Sequence, residues 1–333
     1  MKGRNGFLTR PSSLPHFTQS SRLAGVDQEI AHRNQRRPRC REAEPRASSL
    51  ESLDGILRQR VFCIYEAAIC GSASIPTSRS QIRLTPASQT SQHSSPGGIF
   101  VGCSGWAYAT WKPDFYPAKV PAKKFLEYYA TQLNSVEVNY TFRSLPSSTT
   151  VDSWLAATGA DFRFSCKAPQ RITHILRLKD CSAALTPFAN SIRSVIEANR
   201  FGVVLVQLPP NFKADSQRLT SFLGDAAAAN LRIAFEFRHE SWFTDEIYSV
   251  LQKHDAALCV AESDDLTTPD VRTAGFTCYR FRKSDYTDEQ IKAVCDRLRK
   301  SAQTGDAFAY FKHEDEPTGA LRAVAVIKGL HGT

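Results

Sequence analysis

An acid, a guanidinium, an imidazole and an indole fall within seven residues at the end of one apolar run. The stretch is Leu231 to Trp242, LRIAFEFRHESW, which releases Glu236, Arg238, His239 and Trp242 just after Ile233-Ala234-Phe235. Such a run reads as a strand buried on both faces. A buried strand that ends in ionisable groups looks like the rim of an α/β active site, because ligands gather at the carboxyl ends of strands in these folds. For this stretch alone a structural ion pair between Glu236 and Arg238 is the simpler account. The other strand-like runs end in the same way, and that changes the balance. They close on Ser104 and Trp106, on Glu137, Asn139 and Tyr140, on Lys167, on Gln207, on Glu262, on Arg280 and Arg282, and on Lys312 and His313.

Several chemistries follow from these types. Glu137 and Glu236 form a pair of carboxylates able to act as acid and base on a sugar or another polyol. Their structural alternative is that each anchors a cation, with Arg238, Arg280 and Lys167 as the candidates. Lys167 is either a low-pKa amine able to form a Schiff base or, more commonly for such a lysine, the ion-pair partner of Glu137. A divalent metal on Glu137, Glu236, His239 and His174 suits the donor types. It lacks any local ligand spacing, and an arginine sits beside His239, so no metal site is assigned. Arg238, Arg280, Lys167 and Lys312 together favour an anion, since guanidinium forks match phosphate and carboxylate. Asn139, His174, Gln207 and His239 supply hydrogen bonds. Trp106, Tyr140 and Trp242 supply flat surface for stacking, although packing beneath the mouth loops is the alternative for such aromatics and fits Trp111 best. Cys103 and Cys166 lie inside strands and lack a His/Asp arrangement that would make either a nucleophile.

The elements that must position these groups are strands alternating with helices. Strands are expected at IFVGC from Ile99, SVEVN from Ser135, FRFSCK from Phe162, VVLVQ from Val203, RIAFE from Arg232, ALCVAE from Ala257, FTCYRF from Phe276 and AFAYFK from Ala307. Helices are expected after Pro121, over Phe188 to Ile196, after Asp215, over Ile247 to Leu251, after the Thr287/Gln290 capping box, and after Pro317. The helix following the sixth strand has only Pro269 to Thr273 to draw on. Eight such units in about 235 residues match a (β/α)₈ barrel, whose usual length is about 250. A doubly wound open sheet is the competitor. It needs a phosphate-binding glycine fingerprint at its first turn, and VGCSGW at Val101 offers only Gly102 and Gly105.

The motifs VGCSGWAYATWKPDFYP (Val101 to Pro117), FLEYYATQLNSVEVNYTF (Phe125 to Phe142) and SWLAATGADFRFSCKAPQRITH (Ser153 to His174) occur in that order. FGVVLVQLPPNF (Phe201 to Phe212) and FEFRHESW (Phe235 to Trp242) follow, then CYRFR and AYFKHED less closely. With these the chain resembles the YecE-like family, domain of unknown function 72, a family of TIM-barrel proteins. The resemblance covers nearly everything after Gly98. It implies a barrel fold and no particular reaction. Where the family more commonly carries an aromatic followed by paired asparagines, Lys312 and His313 stand here, which implies a ligand different from the majority's.

Composition bounds the remainder. The chain has 333 residues with 42% hydrophobic and 23% charged, as a globular protein does, and no apolar run reaches the roughly 18 residues of a membrane span. Residues 1–97 carry fourteen Lys/Arg against seven Asp/Glu, whereas the rest carries 28 against 26. The formal charge of +9 therefore belongs mostly to an Arg/Ser-rich extension. That extension is expected to be disordered, because it cannot bury enough apolar area to offset its ordering entropy. Only Leu50 to Ala68 has the pattern of a short helix. A transit peptide, a loose nucleic-acid contact through His32 to Arg41, and a reading frame begun too early are the competing accounts. Nine cysteines without a CxxC pair read as reduced thiols in a cytosol-like compartment, with an organelle as the alternative if the extension is a transit peptide.

Two classes of function fit. One is a cytosolic barrel enzyme handling an anionic or phosphorylated small molecule through glutamate acid/base chemistry. The other is a barrel that holds a nucleotide or nucleic acid without turnover, which the near-neutral globular part disfavours. The cofactor, the substrate and the oligomeric state are not legible.

Overall fold

Period-two alternation along eight short apolar runs decides which side chains enter the barrel. The computed structural model describes residues 96–332 apart from 263–265, 284 and 313–315. The N-terminal readings and His313 lie outside the described residues. The strands are β1 Ile99–Cys103, β2 Ser135–Val138, β3 Arg163–Lys167, β4 Phe201–Gln207, β5 Ile233–Glu236, β6 Ala257–Ala261, β7 Thr277–Phe281 and β8 Ala307–Phe311. They pair in sequence order, all parallel, and β8 returns to β1 from Ile99↔Ala307 through Cys103↔Phe311, so the sheet closes. The expected (β/α)₈ barrel is the observed fold.

Inward side chains form a separate apolar cluster that includes Val203, Leu205, Ala234, Cys259, Cys278, Phe308 and Tyr310. Their outward neighbours, among them Val204, Val206, Phe235, Leu258 and Phe311, join the larger core under the helices. The two glycines of VGCSGW serve the backbone. A Cβ at Gly102 would sit 1.9 Å from the Ser135 carbonyl oxygen, so only glycine allows β1 to lie this close to β2. Gly105 turns the chain out of β1 at φ +106, a conformation that costs glycine little.

Helices α1 Phe125–Gln132, α2 Ser148–Ala156, α3 Ser182–Ser191, α4 Arg193–Glu197, α5 Ser216–Ala228, α6 Asp245–Lys253, α7 Asp288–Ala302 and α8 Thr318–His331 cover the outside. The Thr287/Gln290 box caps α7 reciprocally, and Asp215 accepts from the Arg218 N–H to cap α5. Two departures from the sequence reading have physical reasons. Helix α2 forms from Ser/Thr-rich chain of weak intrinsic propensity. It is held by the Ser147 cap and by burial of Val151 and Trp154. The helix expected at Pro269 to Thr273 does not form. Thr273 instead bonds strand backbone, its Oγ1 accepting from Leu258 N at 2.8 Å and donating to Ala256 O at 2.7 Å. A cavity of about 450 Å³ lies on that flank, between β6, β7 and α7. Its lining includes none of Glu137, Lys167, Glu236 or Arg280. No helix among the described residues is long and apolar enough to cross a membrane.

Candidate functional site

Toward the carboxyl end of the barrel the inward positions change from small or apolar to charged. Ser135 is followed two residues on by Glu137, Ser165 by Lys167, Leu205 by Gln207, Ala234 by Glu236, and Cys278 by Arg280. At the centre, Arg280 bridges two carboxylates from opposite sides of the lumen. Its Nη2 donates to Glu137 Oε1 at 2.6 Å, and its Nη1 donates to Glu236 Oε2. Glu137 Oε1 also accepts from Ser104 Oγ at 2.8 Å. Glu236 Oε1 accepts from Gln207 Nε2 at 2.8 Å and from Arg238 Nε at 3.0 Å. Glu137, Glu236 and Arg280 are all buried.

This charge arrangement sets the protonation states. Burial alone would raise both carboxyls, but Arg280 and Arg282, with hydrogen bonds to the charged form, outweigh it. Glu137 is held below the ordinary range, and Glu236 at about 2. The same carboxylates raise Arg280 against its own burial. Arg282 is lowered to about 10 by burial and by its neighbour Arg280. Lys167, half-buried, is lowered to about 8 by burial and then by Arg280, with Glu137 and Glu236 opposing.

The expected ion pair between Lys167 and Glu137 does not form. Adjacent strands place the two residues close in register, with Glu137 opposite Ser165, but Arg280 and Ser104 take the Glu137 oxygen. Lys167 Nζ lies instead over the Phe142 ring, 4.6 Å from its centroid. His174 packs edge-on to the same ring at 5.2 Å, and its imidazole is lowered by burial and then by Lys167 and Arg238.

Other expected residues divide into those at the mouth and those drawn into packing. Asn139 Nδ2 donates to the Ser104 carbonyl, Arg238 is exposed beside Glu236, and Tyr140 is 54% exposed. Lys312 is exposed where β8 ends. Trp106 is half-buried, edge-on to Trp154. His239 turns back to cap the next turn, its Nδ1 accepting from Ser241 N at 3.1 Å. Trp242 must be corrected outright. It is fully buried, stacked on Phe237 at 4.6 Å, and its indole N–H donates to the Phe212 carbonyl, so it offers no face to a ligand. Among the described residues no group of three or more His, Cys, Asp or Glu is placed to hold a metal.

Three participants stand outside the expected set. Ser104 is the short hydroxyl that orients Glu137, Phe142 is the ring under Lys167, and Arg282 is the second guanidinium over the carboxylates. Ser104 and Arg282 were legible as strand-end residues; Phe142 carried no signal. Four side-chain atoms at this mouth are buried without a hydrogen-bond partner among the described residues: Glu137 Oε2, Asn139 Oδ1, Arg280 Nε and Arg282 Nη2. Each such atom costs about 1–3 kcal/mol when water is excluded, more where it is charged.

Residues 100–333 match the family described as "Protein of unknown function DUF72". The chain is 31% identical over 146 residues to the UPF0759 protein YecE of Escherichia coli (strain K12), covering 44% of this chain and 50% of that protein. It is 26% identical over 160 residues to the UPF0759 protein YunF of Bacillus subtilis (strain 168), covering 45% and 54%. The chain thus spans about half the length of these curated relatives. It is also similar to the crystal structure of a DUF72 family protein from Thermotoga maritima MSB8, with a TM-score of 0.63 and 26% identity over 70% of this chain and 99% of that one. With the match running through all eight strands, the chain belongs to the DUF72 family.

Proposed function

We propose that the barrel mouth binds a small anionic molecule, phosphorylated or carboxylated, and that the chain acts on it by proton transfer. The observation that carries this reading is a pair of buried guanidinium donors without acceptors among the described residues, Arg280 Nε and Arg282 Nη2. Of the described residues that interact at the mouth, Lys167, Arg238, Arg280, Arg282 and Lys283 are cationic, against Glu137, Glu236 and Glu262. An anion offers acceptors to those donors and lowers the self-repulsion of the cations.

The two glutamates serve chiefly to hold Arg280. A carboxyl held far below neutral is a weak proton carrier near pH 7, because general acid/base work favours a pKa close to the working pH. Glu137 keeps Oε2 unengaged and so can accept a substrate hydroxyl. Lys167, at about 8, is the better proton-transfer group. The test is a thermal-shift series with inorganic phosphate, phosphorylated metabolites and oligonucleotides, at low and high salt and with or without divalent metal. At about a hundredfold excess over Kd a bound anion adds about 2.7 kcal/mol to stability, and Arg282→Gln should lose most of that gain. A response confined to oligonucleotides, falling steeply with salt, would support the nucleic-acid barrel instead.

A further inference from the structure

We propose that Lys167 forms an imine with a carbonyl carbon of the anion held at the mouth, so that the substrate class is a phosphorylated or carboxylated aldehyde or ketone. This rests on the anion-binding reading above. Position supports it first. Lys167 ends β3, alternates inward after Ser165, and is half-buried among the groups of the mouth. Its surroundings support it further. Both nearby carboxylates pair with Arg280, Glu137 through Oε1, and no ion-pair partner for Lys167 exists among the described residues. Its Nζ lies instead over Phe142, 4.6 Å from the centroid, beside like charges on Arg280 and Arg238. The ring face favours the ammonium as a cation–π contact, while burial and the like charges of Arg280 and Arg238 favour the neutral amine. At about 8, roughly a tenth of it is neutral at pH 7, about two hundredfold more than for an ordinary lysine.

The step balances without a redox partner. The Nζ lone pair forms a C–N bond to the carbonyl carbon while the C=O π pair moves to oxygen, which takes a proton. Nitrogen then loses a proton, the hydroxyl leaves as water after a second protonation, and a C=N bond remains. His174, on the same Phe142 ring and displaced toward its neutral form, is placed to help relay those protons. Arg280 and Arg282 would hold the anionic group beside the reacting carbon.

The test uses the full chain with pyridoxal phosphate, an aldehyde that carries a phosphate, followed by borohydride reduction and peptide mapping. The reduced adduct is expected on Lys167 at about tenfold or more the occupancy of any other lysine, in keeping with its larger neutral fraction. Inorganic phosphate should protect it, and pyridoxal without the phosphate should label it more slowly. The labelling rate should rise with pH through about 8, the groups facing the amine being Glu137, Glu236, Arg238, Arg280 and His174. Lys167→Arg keeps the charge and should abolish the adduct, while mapping on the unaltered chain stays decisive whatever that variant's folding. Adducts spread over exposed lysines such as Lys119, Lys179 and Lys328, with Lys167 untouched, would overturn the imine. If phosphate still raised the melting temperature in that case, the anion reading would survive alone. Equal trapping by pyridoxal and its phosphate, without protection, would remove the anion reading and with it the substrate class.

Discussion

The interior of this barrel has two levels built on opposite principles. Deep in the lumen, Tyr310 Oη lies 2.8 Å from Ser135 Oγ and donates to Ser165 Oγ at 2.6 Å, and Ser165 Oγ accepts from Val203 N at 3.0 Å. That layer is neutral and its hydroxyls are paired with one another. Two residues further along, the mouth carries ionised groups and four buried atoms without partners among the described residues. Elsewhere among the described residues only His254 Nε2 and Thr277 Oγ1 share that condition. A fold stabilised for its own sake would continue the neutral layer upward, since replacing a buried ion pair by apolar residues is commonly neutral or stabilising. The contrast separates a lower level whose polar groups satisfy one another from an upper level whose unpaired groups the proposed anion would complete.

Arg280→Met should break the contrast most severely. It leaves Glu137 and Glu236 buried without their guanidinium, at a cost of about 3–5 kcal/mol, or about 10 °C in melting temperature. The triple change Glu137→Leu, Arg280→Met, Glu236→Leu should recover most of that loss while remaining unresponsive to phosphate. The deficit also has a pH signature. Carboxyls with depressed folded-state values contribute stability above their ordinary value of about 4.3. That contribution fades as pH falls toward the folded value, about 2 for Glu236. The stability gap between the two proteins in urea should therefore begin to narrow below about pH 4 and close only toward about pH 2. An Arg280→Met protein as stable as the parent would show that the bridge is not what organises the mouth.

Lys167→Met sharpens the same comparison by a smaller amount and with the opposite sign. The folded state lowers this amine from 10.5 to about 8, so at neutral pH the ammonium is held at a cost. Between about 8 and 10.5 the folded chain binds fewer protons than the unfolded one, and stability rises with pH. The substitution should stabilise the chain by about 1–2 kcal/mol at neutral pH, after allowance for solvent contact. That gain should shrink to nothing as the pH is raised through the same window. A gain indifferent to pH would mean that the strained ammonium is not its source.

The mildest change belongs to the lower level. Tyr310→Phe removes the shared hydroxyl and should cost about 1–2 kcal/mol. The phosphate-induced rise in melting temperature should be unaltered. A lost phosphate response in this variant would mean that the two levels are not separable.

Much of this site was legible because a strand repeats every two residues. Once Glu137, Lys167, Glu236 and Arg280 are placed at the carboxyl ends of inward-facing positions, closure of the barrel brings them to one mouth. The pairing was not legible. Glu137 lies on the strand next to Lys167, yet it binds Arg280, 143 residues away, because the longer guanidinium reaches across the lumen to both carboxylates. Trp242 was misplaced for a related reason. The turn after β5, capped by His239, directs the indole down onto Phe237 rather than up to the mouth.

The sequence by itself determined the class of fold, the order of its strands and the inventory of charges at their ends. Those properties follow from local alternation and chain connectivity. Which charges neutralise one another, and, among the described residues, which amine is left without a counter-ion and which donors stay unpaired, were decided only by the closed barrel. Such choices depend on distances across a space that no stretch of chain encodes alone.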